Sequence, residues 1–291
     1  MRKVTLVKPI GYCLGVIKAI EKAIKIKQEH KDQNVFIFGL LVHNEEVITY
    51  LNSFGLVTIN DYQVSFEEFI DTVTKDDIVI FPAHGHKEEY EEKLRSKGIT
   101  FYDTTCVNVE KNINLIKKYK EQGIIYIGKK NHKETIASLS VHENVVLYDI
   151  NEGLDFSKVI FTNPVVINQT TLSFLEINHI HQEIISKIPS ALLLDEVCSA
   201  TRVRQEKIKD IPSSADLIII VGSNKSSNTQ KLYEVATSFH GQEKVIKINN
   251  KNDLVNYDIN RYNNIHLLSG TSTPMNIIEE IKTSLKGGND E

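Results

Sequence analysis

Short apolar runs rich in Val and Ile recur along the whole chain, separated by longer stretches where apolar residues return every three or four positions. The runs Val4–Val7, Val35–Leu40, Ile78–Phe81, Thr100–Tyr102, Ile124–Ile127, Val145–Tyr148, Val165–Ile167, Ala191–Leu194, Leu217–Val221, Val245–Ile248 and Ile265–Leu268 predict strands. Gly15–His30, Lys87–Lys97, Val109–Gln122, Lys133–His142, Phe174–Lys187, Thr201–Lys209, Asn228–Phe239 and Met275–Leu285 predict amphipathic helices. Strands that are apolar at nearly every position are buried on both faces. Their regular alternation with helices predicts an α/β fold of parallel sheets. Lys286–Glu291 reads as a frayed tail.

Cys13, Cys106 and Cys198 are almost evenly spaced, each just past a predicted strand and just before a helical pattern. Such spacing predicts internal repetition. His43, His132 and Ser226 follow their cysteines at similar distances, and His84, Thr170 and Ser272 follow at similar longer ones. Each lies at the carboxyl end of a predicted strand, the edge where open α/β sheets bind ligands. The pattern predicts three similar small domains, residues 1–103, 104–195 and 196–291, in a pseudo-threefold arrangement around one central cavity.

Composition narrows the function. Apolar content of 41% and charged content of 25% are ordinary for a globular chain. The 34 basic and 38 acidic side chains give a net charge of −4, which excludes nucleic acid as the main partner, since a phosphate backbone needs a basic face. No apolar run approaches the roughly 20 residues of a membrane helix, so no membrane partner is expected. The amino terminus is interrupted at Lys8 and Pro9 and lacks a signal peptide's apolar segment. An odd number of cysteines points to the reducing cytoplasm, where thiols ligate metals or do chemistry.

A buried cysteine is commonly a small hydrophobe, but three at equivalent strand ends favour a shared iron–sulfur centre. A four-iron cluster normally takes four cysteines. Three leave one iron open to bind a substrate oxygen and to pass electrons. Structural zinc would want a fourth ligand nearby, and no CxxC or CxxH pair exists. His43, His84 and His132, with the serines, suit a diphosphate; metal binding by the same histidines is the competing reading. His86 is read as exposed. GSNKSSN follows an apolar strand and offers an anion its backbone N–H groups and the side chains of Ser226, Ser227 and Asn228. It also suits a plain helix cap, as does GTSTP around Ser272. Glu134, two residues past His132, is a candidate general acid or a helix-start glutamate favoured by the macrodipole. Thr170 and Thr171 are either strand formers or pocket hydroxyls.

Taken in order, GYCLGV, VHN, AHG, DTTC, GKKNHKE, NQTTLS, EVCSAT with RQE, GSNKSSN and STP resemble the 4-hydroxy-3-methylbut-2-enyl diphosphate reductase family over nearly the full length. The resemblance implies a three-lobed cloverleaf around a central cluster cavity. It also implies one [4Fe–4S] cluster per chain, held by Cys13, Cys106 and Cys198 with one open iron. His43, His84, His132, Ser226, Ser227, Asn228 and Ser272 would then hold the substrate diphosphate. Thr170 would bond the substrate hydroxyl, and Glu134 would deliver protons. The implied reaction is reductive dehydroxylation of a small allylic diphosphate to isopentenyl and dimethylallyl diphosphate, the last step of the methylerythritol phosphate route. The chain carries no nucleotide or flavin motif, so a separate ferredoxin- or flavodoxin-type protein would supply electrons. Leu14 stands where the family usually has Phe, Val107 and Lys133 where it has Pro, Ser199 where it has Tyr, Val203 where it has Asn, and Asn168 where it has Thr.

Two other uses of the same residues are distinguishable. A non-redox dehydratase or condensing enzyme of the quinolinate synthase type would turn over without an electron donor. A non-catalytic cluster sensor would leave Glu134 and Thr170 without chemical roles.

Overall fold

The computed structural model describes residues 2–194 and 198–287. The boundary expected at 195/196 and the end of the expected tail lie outside them. The chain opens with β1 (Lys3–Leu6), α1 (Leu14–Glu29), β2 (Val35–Phe38), α2 (Glu45–Asn52), β3 (Leu56–Ile59), α3 (Phe66–Thr72), β4 (Ile78–Phe81), α4 (Glu88–Ser96) and β5 (Thr100–Asp103). It continues through α5 (Val107–Tyr119), β6 (Ile124–Gly128), α6 (Lys133–Leu139), β7 (Val145–Asp149), β8 (Val165–Asn168), α7 (Phe174–Lys187) and β9 (Leu192–Leu193). It closes with α8 (Ser199–Lys209), β10 (Leu217–Val221), α9 (Ser227–His240), β11 (Val245–Ile248), β12 (Asn264–Ser269) and α10 (Met275–Leu285).

These strands build three four-stranded parallel sheets with one shared order: β5-β4-β2-β3, β9-β8-β6-β7 and β1-β12-β10-β11. The inner strands β4, β6, β8 and β10 are buried at every position, which is why they read as unbroken apolar runs. Helices cover both faces. On the first sheet, α1 packs Val16, Ala23 and Ile26 against Ile37 and Ile80, while Phe66 and Phe69 cover Phe38 and Phe81 on the other side.

One placement differs from expectation. Strand β1, assigned by sequence to the first domain, pairs with β12, setting Val4 opposite Ile265 in the third sheet. It fills the edge position that β5 and β9 fill in the other two. The repeat is therefore offset in a circle: each unit begins at a cysteine, and the amino-terminal strand completes the last unit. The helix after each cysteine packs on the next sheet, α1 on the first, α5 through Ile116 on the second and α8 through Ile208 on the third. Among the described residues, no helix is long and apolar enough to cross a membrane.

Candidate active site

Cys13, Cys106 and Cys198 occupy the N-cap positions of α1, α5 and α8, and none of their side chains caps its own helix. Each helix amino terminus points unpaired N–H groups and the positive end of its dipole toward the space the thiols share. The three crossovers bring these thiols together. A β-carbon on Gly15 would lie 2.5 Å from Cys106 Sγ and 3.8 Å from Cys13 Sγ. Asn108 Nδ2 reaches Cys198 Sγ at 3.1 Å. Burial pushes the Cys106 thiol pKa up, and the nearby Cys13 and Cys198 raise it further. All three cysteines are free.

Among the described residues, no three His, Cys, Asp or Glu converge on a point where they could hold a single metal ion. A polynuclear cluster asks for something else, because each thiolate binds a different iron. Three free thiols from three helix amino termini, facing one cavity with no fourth cysteine in the chain, fit that donor set.

The same cavity is lined by His43, His84, His132, Glu134, Thr170, Ser226, Ser227, Asn228 and Ser272, so the residues expected to bind substrate or carry protons converge on it. His43 stacks on His84 with ring centroids 5.0 Å apart and lies 5.9 Å from His132. Burial lowers the pKa of all three, that of His132 to about 3 and that of His84 well below its usual value. Stacked imidazoles in such a place are neutral near pH 7 and can donate through one ring nitrogen each. His43 Nε2 is buried without a partner, an unmet hydrogen bond at the cavity wall.

Ser226 caps α9, accepting from the Thr229 N–H at 3.3 Å. Gly222 allows the close approach: at φ +152°, a β-carbon there would lie 2.6 Å from Thr229 Oγ1. Ser227 accepts from Thr171 across the seam between the second and third units. Asn228 donates one Nδ2–H to Thr201 Oγ1 and accepts from the Thr271 N–H, which leaves its second Nδ2–H for a ligand.

Glu134 sits in the first turn of α6 and is 1% exposed. Thr170 holds both of its oxygens, donating from N to Oε1 and from Oγ1 to Oε2, each at 2.8 Å. Tyr126 donates to Oε1 at 3.2 Å. Burial raises the Glu134 pKa to about 7 against the opposing pull of these donors. A buried carboxyl poised near neutrality, two residues from His132 and in the same cavity as the thiols, is equipped to give a proton.

Comparison with known proteins decides the kinship. The profile of the family described as LytB protein matches residues 4–286. The chain belongs to this LytB family. The 4-hydroxy-3-methylbut-2-enyl diphosphate reductase of Malacoplasma penetrans is 35% identical over 94% of the chain and 93% of its own length. The protein of that name from Bacillus thuringiensis is 32% identical over 96% and 88%. The solved E-1-hydroxy-2-methyl-but-2-enyl-4-diphosphate reductase of Plasmodium falciparum superposes with a TM-score of 0.83 at 27% identity, over 98% of this chain and 87% of that one. These LytB relatives bear out the resemblance and the three-unit fold expected from sequence.

Two of the residues expected from sequence to differ from the family's pattern make defined contacts in this LytB chain. Lys133 pairs with Asp61 at 2.7 Å and lies over the Tyr62 ring, tying the second unit to the first behind the histidines. Asn168, fully buried, donates to Leu194 O and so holds β8 to the segment after β9. Leu14 and Val107, each next to a cysteine, are exposed on the first turns of α1 and α5. His86, expected to be exposed, instead stacks on Phe81 with ring centroids 3.7 Å apart and bonds Glu91, because the neighbouring Gly85 turns the chain back at φ +85°. Tyr126 and Asn108 carry no signal for the site in the sequence: one reads as an ordinary strand aromatic, the other as an ordinary helix-start residue.

Proposed function

We propose that this chain reduces 4-hydroxy-3-methylbut-2-enyl diphosphate to isopentenyl and dimethylallyl diphosphate. The observation that carries this reading is a buried carboxyl with a pKa of about 7, sharing one cavity with three free thiols and three neutral imidazoles. Three thiolates suit a four-iron cluster with one open iron, which when bound supplies electrons and a Lewis acid for the allylic hydroxyl. His43, His84, His132, Ser226, Ser227, Asn228 and Ser272 hold the diphosphate by hydrogen bonds, the α9 amino terminus adding its dipole. This anchorage fixes the hydroxyl end toward the thiols. Thr170 positions that hydroxyl, and Glu134 protonates it as it leaves as water. Two electrons and two protons enter for each water lost. The electrons come from an external carrier of ferredoxin or flavodoxin type. The reductase names of the relatives favour this reading over a non-redox dehydratase or a sensor.

The test is product analysis after anaerobic incubation with the allylic diphosphate and a reduced viologen. Both C5 diphosphates are expected, and Cys→Ser at position 13, 106 or 198 is expected to abolish them along with the bound iron. Diphosphate consumed without dye oxidation would replace this reading with a dehydratase.

A further inference from the structure

Arg204 lies on α8 beyond Cys198 and is 3% exposed. A guanidinium stays charged at any working pH, and burying one without a counter-charge is strongly unfavourable. Among the described residues, no carboxylate pairs with Arg204. Its Nη1 donates to Ala200 O at 3.1 Å and its Nη2 to Gly11 O at 2.7 Å, while Nε is buried with no partner. Among the described residues, the groups whose charge opposes the effect of burial on the guanidinium are the thiols of Cys13 and Cys198. Gly11 lies on the loop that leads into Cys13. Arg204 therefore ties the loop of one cysteine to the helix of another and sets a fixed positive charge beside both.

We propose that Arg204 is the built-in counter-charge of the three-thiolate centre, holding two of its arms in register and favouring its reduced state. This rests on the cluster reading above. Three thiolates leave the centre negative, and each added electron makes it more so. A fixed cation beside it thus stabilises the reduced form and raises the reduction potential. Arg204 touches neither the substrate nor the reacting carbon in this scheme; it is a positioning residue.

The experiment uses the full chain, reconstituted anaerobically as wild type, Arg204→Lys and Arg204→Gln. Iron and sulfide content is measured together with an EPR-monitored redox titration. The Gln variant is expected to shift the reduced-to-oxidised ratio at least tenfold toward the oxidised form, about 59 mV for one electron. The Lys variant, which keeps the charge, is expected to stay within about threefold of wild type. A Gln variant with full cluster and unchanged potential overturns the proposal and leaves the cluster reading intact. So does a Lys variant displaced as far as the Gln variant, because packing would then explain both. If the Gln variant holds no cluster, the Lys variant decides: a cluster at the wild-type potential supports the counter-charge, and loss of the cluster there too assigns Arg204 to packing alone. A wild-type chain that takes up no cluster ends both readings.

Discussion

Glu134 carries opposite demands from stability and chemistry. Its pKa is about 7 in the fold against an ordinary 4.5. Between those values the folded protein holds the proton more tightly than the unfolded chain, so this group's contribution falls as pH rises through that window. Above pH 7 the ionised carboxyl destabilises the fold by on the order of 3 kcal/mol. Glu134→Gln is thus expected to raise the melting temperature at pH 8, with the gain fading toward pH 5, while turnover drops at least a hundredfold and iron content is kept. Scanning calorimetry at the two pH values, with an activity assay, checks this. Thr170→Val removes a hydroxyl that donates to Glu134 Oε2, so the carboxyl pKa should rise and the alkaline limb of the pH–rate profile should move up. The histidines act in the other direction. With its pKa at about 3 against 6.5, His132 excludes a proton that the unfolded chain accepts, so stability is lost as pH falls from 6.5 toward 3.

At the scale of elements, the approach of α1 to the Cys106 turn depends on one missing methyl group. Gly15 lies in the first turn of α1, where alanine would favour the helix by up to about 1 kcal/mol. A β-carbon there would meet Cys106 Sγ at 2.5 Å. Gly15→Ala is therefore expected to keep helix content in circular dichroism and to lose most of the bound iron. The elements themselves were unevenly legible. Inner strands such as β6 and β10 were plain, because burial on both faces leaves an unbroken apolar run. Strand β3 was not, since it is a sheet edge with Val57 exposed. Helix α2 buries only Val47 and Leu51, too few to set up a visible period. Helix α3 did carry a signal, the Ser65 and Glu68 capping box ahead of Phe69 and Ile70.

At the scale of the molecule, the cavity was legible because each unit repeats the same plan and puts its polar residues at strand ends. What stayed hidden depends on contacts remote in sequence. The pairing of β1 with β12 cannot be read from either strand alone, nor can the Lys133–Asp61 pair or the Arg204 bond to Gly11. Tyr126 looks like any strand aromatic until α6 places Glu134 against it. The central claim is that the three crossover cysteines, the neutral histidines and Glu134 form one reducing site. It is tested most directly by counting electrons: the anaerobically purified protein is mixed with reduced viologen and a known amount of the allylic diphosphate. Two one-electron equivalents of dye oxidised per diphosphate consumed is the predicted result. Dye oxidation that does not depend on the diphosphate, or none at all from iron-loaded protein, would contradict it.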